Sequence, residues 1–111
     1  MQNERVEYGT VRTMKLGPGT VGIRIPAEWC AHHKLAEGDT IYCTGHLSGP
    51  IEYHTDDRPW AQTVTLQVRR SSSPIVAIPA ALARPRGIGA AANVTISVAS
   101  NGGLFIEQED A

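Results

Sequence analysis

Histidine, cysteine and carboxylate side chains can hold a metal or move a proton, and this sequence gathers them in short clusters. Cys30-x-His32-His33 and Cys43-x-x-His46 together contain enough donors for a zinc ion. Their spacing matches none of the paired patterns that zinc modules use. One cysteine on a helix and one on a strand instead read as small core residues, with His32 and His33 facing solvent near the helix end. Asp56-Asp57 is a carboxylate pair, but adjacent residues on an extended segment point to opposite sides, and Arg58 and Pro59 follow directly. No glycine-rich phosphate loop, G-x-S-x-G or H-E-x-x-H is present. These residues predict no enzyme, no metal and no cofactor.

The charge is more informative in its distribution than in its sum. The net charge is −1, which does not announce a nucleic-acid binder. Between Arg58 and Glu107, however, there is no acidic residue, while Arg69, Arg70, Arg84 and Arg86 all lie in that interval. A near-neutral chain can carry a basic face. Aromatic residues make up only 5% of the chain, so the core must rest on Val, Ile, Leu and Ala. No apolar run reaches the ~18–20 residues of a membrane helix. The polar start MQNERVEYGT lacks a signal-peptide apolar segment, which predicts a cytoplasmic protein with free thiols.

The elements that must position these side chains come in duplicate. Ile23-Arg24-Ile25-Pro26 superposes on Val76-Ala77-Ile78-Pro79 with a shift of 53 residues. The register holds without a gap from Val11/Val64 to Tyr53/Ile106, matching Trp29 with Leu82, Ile41 with Val94 and Gly49 with Gly102. In each copy β-branched alternation predicts a first strand, Val6 to Leu16 or Thr63 to Arg70. A short loop follows (Gly17-Pro18-Gly19 or Ser71-Ser72-Ser73), then a second strand ending at Pro26 or Pro79. Proline cannot donate to a ladder but suits the start of a helix, so the chain turns from strand into helix there. The helices are expected at Ala27–Lys34 and Ala80–Arg84, the second limited by Pro85. A hairpin closes each copy: Thr40–Thr44 with Ile51–Tyr53, and Val94–Val98 with Leu104–Ile106. One such unit is too small for comfortable stability, whereas two interleaved units share a core and cover their sheet edges.

GIRIPAEWCAHHKLAEGDTIYC resembles the AbrB side of the AbrB/MazE/SpoVT swapped-hairpin family, and RRSSSPIVAIPAALARPRGIGAAANVTISVASNGGLFIEQ is similar to its MazE side. The resemblance implies a mainly β fold with two short helices: a swapped-hairpin, AbrB-like β-barrel formed as a single-chain pseudodimer. Its repeats would be residues 5–54 and 63–108, joined by the linker 55–62 into one compact domain. It also implies a DNA-binding transcriptional regulator, with an antitoxin or other protein-interaction module as the alternative. The expected partners are double-stranded DNA or a toxin protein, with no membrane, and the expected state is a pseudodimeric monomer or a homodimer. The family's basic positions fall on Arg12, Lys15 and Arg24 in the first copy and on Arg69 and Arg70 in the second. Arginine suits the role because its planar fork grips phosphate or a guanine edge with two hydrogen bonds. Thr20, Ser71, Ser72 and Ser73 could add phosphate contacts. The departure is Ala77 in the place of Arg24, so any such face is asymmetric.

Overall fold

The computed structural model describes residues 5–46, 49–68, 73–100 and 102–108. The fold is mainly β with two short helices, and its larger sheet curls into a half-barrel. The first half contributes β1 (Arg5–Arg12), β2 (Met14–Gly17), β3 (Thr20–Arg24), α1 (Ala27–His32), β4 (Thr40–Thr44) and β5 (Ile51–His54). The second contributes β6 (Gln62–Thr65), β7 (Gln67–Val68), β8 (Pro74–Ile78), α2 (Ala80–Ala83), β9 (Asn93–Ala99) and β10 (Leu104–Gln108). A 3-10 turn, Arg84–Arg86, extends α2 and accepts Pro85 in its first turn. Among the described residues no helix is long and apolar enough to cross a membrane.

The six-stranded sheet runs β1-β9-β10-β5-β4-β6, and the four-stranded sheet β2-β3-β8-β7. Under the 53-residue shift each order reads the same from either end. The first strand of each half pairs with the other half: β1 lies on β9 and β6 on β4. The registers correspond, with Val11 opposite Val94 and Val64 opposite Ile41. Two pairs bring a residue against its own equivalent, Ile23 against Val76 and Phe105 against Glu52. They mark where a pseudo-twofold axis crosses the small and the large sheet.

The first strands are not continuous. Thr13 and Leu66 separate β1 from β2 and β6 from β7, and there the chain leaves the large sheet for the small one. The Thr13 N–H donates to Ala92 O (2.8 Å), and the Leu66 N–H donates to Asp39 O (2.9 Å). Both residues are buried. Alternation of side chains continues through such a corner, so sequence pattern alone gives no sign of it.

The core lies between the sheets and the helices. Ile23, Ile25, Val76 and Ile78 meet Ile41, Tyr53, Val94, Ile96, Leu104 and Ile106, with Trp29 and Leu82 closing the two ends. Pro26 and Pro79 cap the helices through their carbonyls. Pro26 O accepts from the N–H groups of Trp29 (3.1 Å) and Cys30 (3.3 Å), and Pro79 O from those of Leu82 and Ala83 (2.9 Å each). A residue lacking its own N–H loses nothing at a helix start, where that N–H has no intrahelical partner.

Candidate nucleic-acid interface

Directly opposed residues in a sheet share a face. Ile23, Ile25, Val76 and Ile78 point into the core, so Gly22, Arg24, Ile75 and Ala77 lie on the outer face of the small sheet. Met14 joins them opposite Gly22, and Gln67 opposite Ile75. Gly22 is closely covered, since a Cβ there would run into the Leu16 side chain. Arg24 is exposed and forms no ion pair with a described residue. It sits one residue from the axis pair Ile23–Val76 and borders a depression of about 350 Å³, together with Tyr8, Val11, Ile25, Ser73 and Ile96.

The other candidate cations are placed differently. Lys15 is exposed on β2, opposite Val21 and so on the row that faces the core. Being on an edge strand, it leaves at the rim, beside Gly17, Gly19, Thr20 and Ala90. Arg12 is exposed at the end of β1, opposite Asn93 in the large sheet. The structure therefore brings Arg12 and Lys15 to the two sides of the Thr13 corner and sets Arg24 on the outer sheet face. Arg69, Arg70, Ser71 and Ser72 lie outside the described residues. Ser73 is half-buried at the rim of the Arg24 depression, and Thr20 is exposed.

Arg86, one of the arginines of the acid-free interval, serves the fold. Its Nε donates to Gly49 O (2.9 Å), Nη1 to Leu82 O (2.9 Å) and Nη2 to His46 O (2.6 Å). The grip on the hairpin has no local signal, because Gly49 O and His46 O lie about 40 positions earlier, and only Leu82 O is near in sequence. His33 also departs from the expected solvent-facing role. It is half-buried, with Nε2 3.1 Å from Gly102 O, and Trp29 Nε1–H donates to the same oxygen at 2.8 Å. A carbonyl can only accept, so His33 Nε2 carries its hydrogen.

The metal and acid–base candidates are dispersed. Cys30 and Cys43 are buried free thiols. Burial pushes Cys30 up to about 11 and Cys43 up to about 12, so neither is a ready nucleophile at neutral pH. Among the described residues no group of three or more His, Cys, Asp or Glu is arranged to hold a metal ion. Asp56 is exposed and paired with Arg58 (3.1 Å), whose hydrogen bond holds its carboxyl below the usual range. Glu52 Oε1 lies 3.0 Å from Nε2 of the buried His54, at hydrogen-bond distance.

Comparison with protein-family models, with curated proteins and with solved structures returned no match. The likeness to the AbrB/MazE/SpoVT family therefore rests on the motifs of the sequence alone.

Proposed function

We propose that this chain is a DNA-binding transcriptional regulator of the AbrB-like type, a swapped-hairpin pseudodimer made by one polypeptide. The observation that carries the reading is the crossed pairing of the halves, β1 on β9 and β6 on β4, about an axis that passes beside Arg24. An outward arginine next to a pseudo-twofold axis suits a duplex, whose backbone also has local twofold character. Arg12 and Lys15, exposed on the two sides of the Thr13 corner, are the other described cations of the reading, and Arg69 and Arg70 belong to it by sequence alone. Ala77 leaves the second half without an equivalent of Arg24, so the reading favours an asymmetric site over a strict palindrome. A cytoplasmic location goes with this function.

The test is fluorescence anisotropy with a pool of random duplex DNA across a salt series. Wild type should bind, with log affinity falling steeply in log salt. The variant Arg24/Arg69/Arg70→Ala should lose that binding while keeping its melting temperature. Absence of binding by wild type at low salt would sink the proposal. The second reading, an antitoxin or other protein-interaction module, draws on the likeness of the second half of the sequence to the MazE side of the family. A small toxin co-purifying in stoichiometric amount from the native host would favour it.

A further inference from the structure

Trp60 is the most exposed large apolar side chain among the described residues, at 97%. It stands at a tight turn in which the Ala61 N–H donates to Arg58 O (3.2 Å). Pro59 takes the second place of that turn, and Trp60, with φ of 66°, takes the third. A turn with proline second and positive φ third is the type II arrangement, where glycine or asparagine is usual. A bulky Cβ residue is disfavoured there by backbone crowding. Tryptophan here thus combines a strained backbone with an indole left in water, and its ring contacts no other described ring. Neither cost brings a packing gain to the fold. The equivalent position in the first half is Glu7, within β1, so the indole belongs to the connector and not to the repeated frame.

The surroundings indicate what the indole would meet. Trp60 borders a depression of about 460 Å³ with Thr44, His46, Glu52, Arg58 and Pro59. Arg58 is already matched by Asp56, through Nε to Oδ2 (3.1 Å) and Nη2 to Oδ1 (3.4 Å). Glu52 lines the depression and exposes 29% of its side chain, and Asp57 is exposed in the same connector. Glu52 is itself bonded to His54 Nε2 (3.0 Å), but Glu52, Asp56 and Asp57 together outnumber Arg58, so the net charge of this part of the surface is negative. An exposed aromatic face, with Glu52 in the adjoining depression and Asp57 in the same connector, attracts a guanidinium or ammonium group, which stacks on the ring while the carboxylates offset its charge. The same carboxylates repel phosphate, which disfavours a nucleic acid at this place. The depression shares no described lining residue with the one beside Arg24.

We infer that Trp60, with Glu52 and Asp57, forms a docking point for an arginine- or lysine-bearing segment of a partner protein, on a surface separate from the proposed DNA face. The partner's cation stacks on the indole, and the turn holds the indole out for it. The inference stands whether or not the chain binds DNA.

The experiment uses the full chain and a fluorescein-labelled hexa-arginine peptide at physiological salt, read by anisotropy, with a labelled oligothymidylate as the contrasting probe. Wild type should bind the peptide saturably. Trp60→Gly should weaken binding about tenfold without lowering the melting temperature, because glycine relieves the turn. Trp60→Phe, which keeps an aromatic face, should stay within about threefold of wild type, and Asp57→Asn should lose about two- to threefold. The inference is overturned if wild type shows no saturable binding, or if Trp60→Gly binds as well as wild type. It is equally overturned if Trp60→Phe loses as much as Trp60→Gly, or if oligothymidylate proves the tighter, Trp60-dependent ligand.

Discussion

The β4–β5 and β9–β10 hairpins occupy equivalent places and are held by different chemistry. Gly102 O, in the second half, receives Trp29 Nε1–H and His33 Nε2–H from α1 and its end. At the equivalent turn of the first half, Leu82 stands where Trp29 would and has no donor to offer. Arg86, the equivalent of His33, supplies the donors there and grips Gly49 O and His46 O as well as Leu82 O. Apolar volume and donor supply have been exchanged between neighbouring positions while the turn glycine keeps its conformation, with φ of 90° at Gly49 and 91° at Gly102. The duplicated frame thus constrains where carbonyls need partners, and leaves open which side chain provides them.

The corners show the same division. Thr13 Oγ1 donates to Gly89 O (2.6 Å) and accepts from the Ala92 N–H (2.8 Å), whereas Leu66 fills the equivalent corner with hydrocarbon. Between its helix and the strand that follows, each half also has two left-handed positions. The first half places Lys34 at one (φ 56°) and Gly38 at the other (φ 94°), while the second places Gly87 (φ 68°) and Ala91 (φ 63°) there. Glycine thus relieves one position in each half, and never the same one.

Making the halves alike at the turns should have the largest effect. Trp29→Leu removes buried ring volume and one of the two donors to Gly102 O, and should cost about 3 kcal/mol in denaturant unfolding. A loss below about 1 kcal/mol would mean that the indole is not what holds the turn. Next come the two clamps. Arg86→Ala should cost about 2 kcal/mol, because three carbonyls lose a charged donor, and His33→Ala about 1 kcal/mol, because Trp29 still serves Gly102 O. Equal losses would contradict the unequal division of donors. Smallest is Ala91→Gly, which should raise stability by about 0.5–1 kcal/mol by relieving a left-handed alanine. A decrease would show that the alanine conformation is held without strain.

Much of the element sequence was legible. The Ile-Pro and Ala-Ile-Pro corners located the starts of both helices, and the glycine-bearing turns separated β4 from β5 and β9 from β10. Burial of Trp29, Cys30 and Cys43 also followed from their place in the apolar pattern. The breaks at Thr13 and Leu66 were not legible, because alternation survives a change of sheet. Of the candidate cations, exposure of Arg24 followed from its place between Ile23 and Ile25. The roles of Arg86 and His33 did not, since their partners are main-chain oxygens distant in sequence. In sequence Trp60 is only part of a linker: nothing in the order of residues distinguishes an indole held in solvent from one folded back onto the sheet.

By itself the sequence determined which segments are strands and helices, where proline and glycine end them, and that the pattern occurs twice. Those properties follow from torsional preference and from the side-chain period along a few consecutive residues. The tertiary structure decided that β1 lies on β9 and β6 on β4, and that Lys15 and Arg24 leave opposite faces of one sheet. Strand pairing joins segments separated by most of the chain, and alternation along a strand is the same whichever neighbour completes its ladder. Only simultaneous burial of both halves' apolar faces selects the partner.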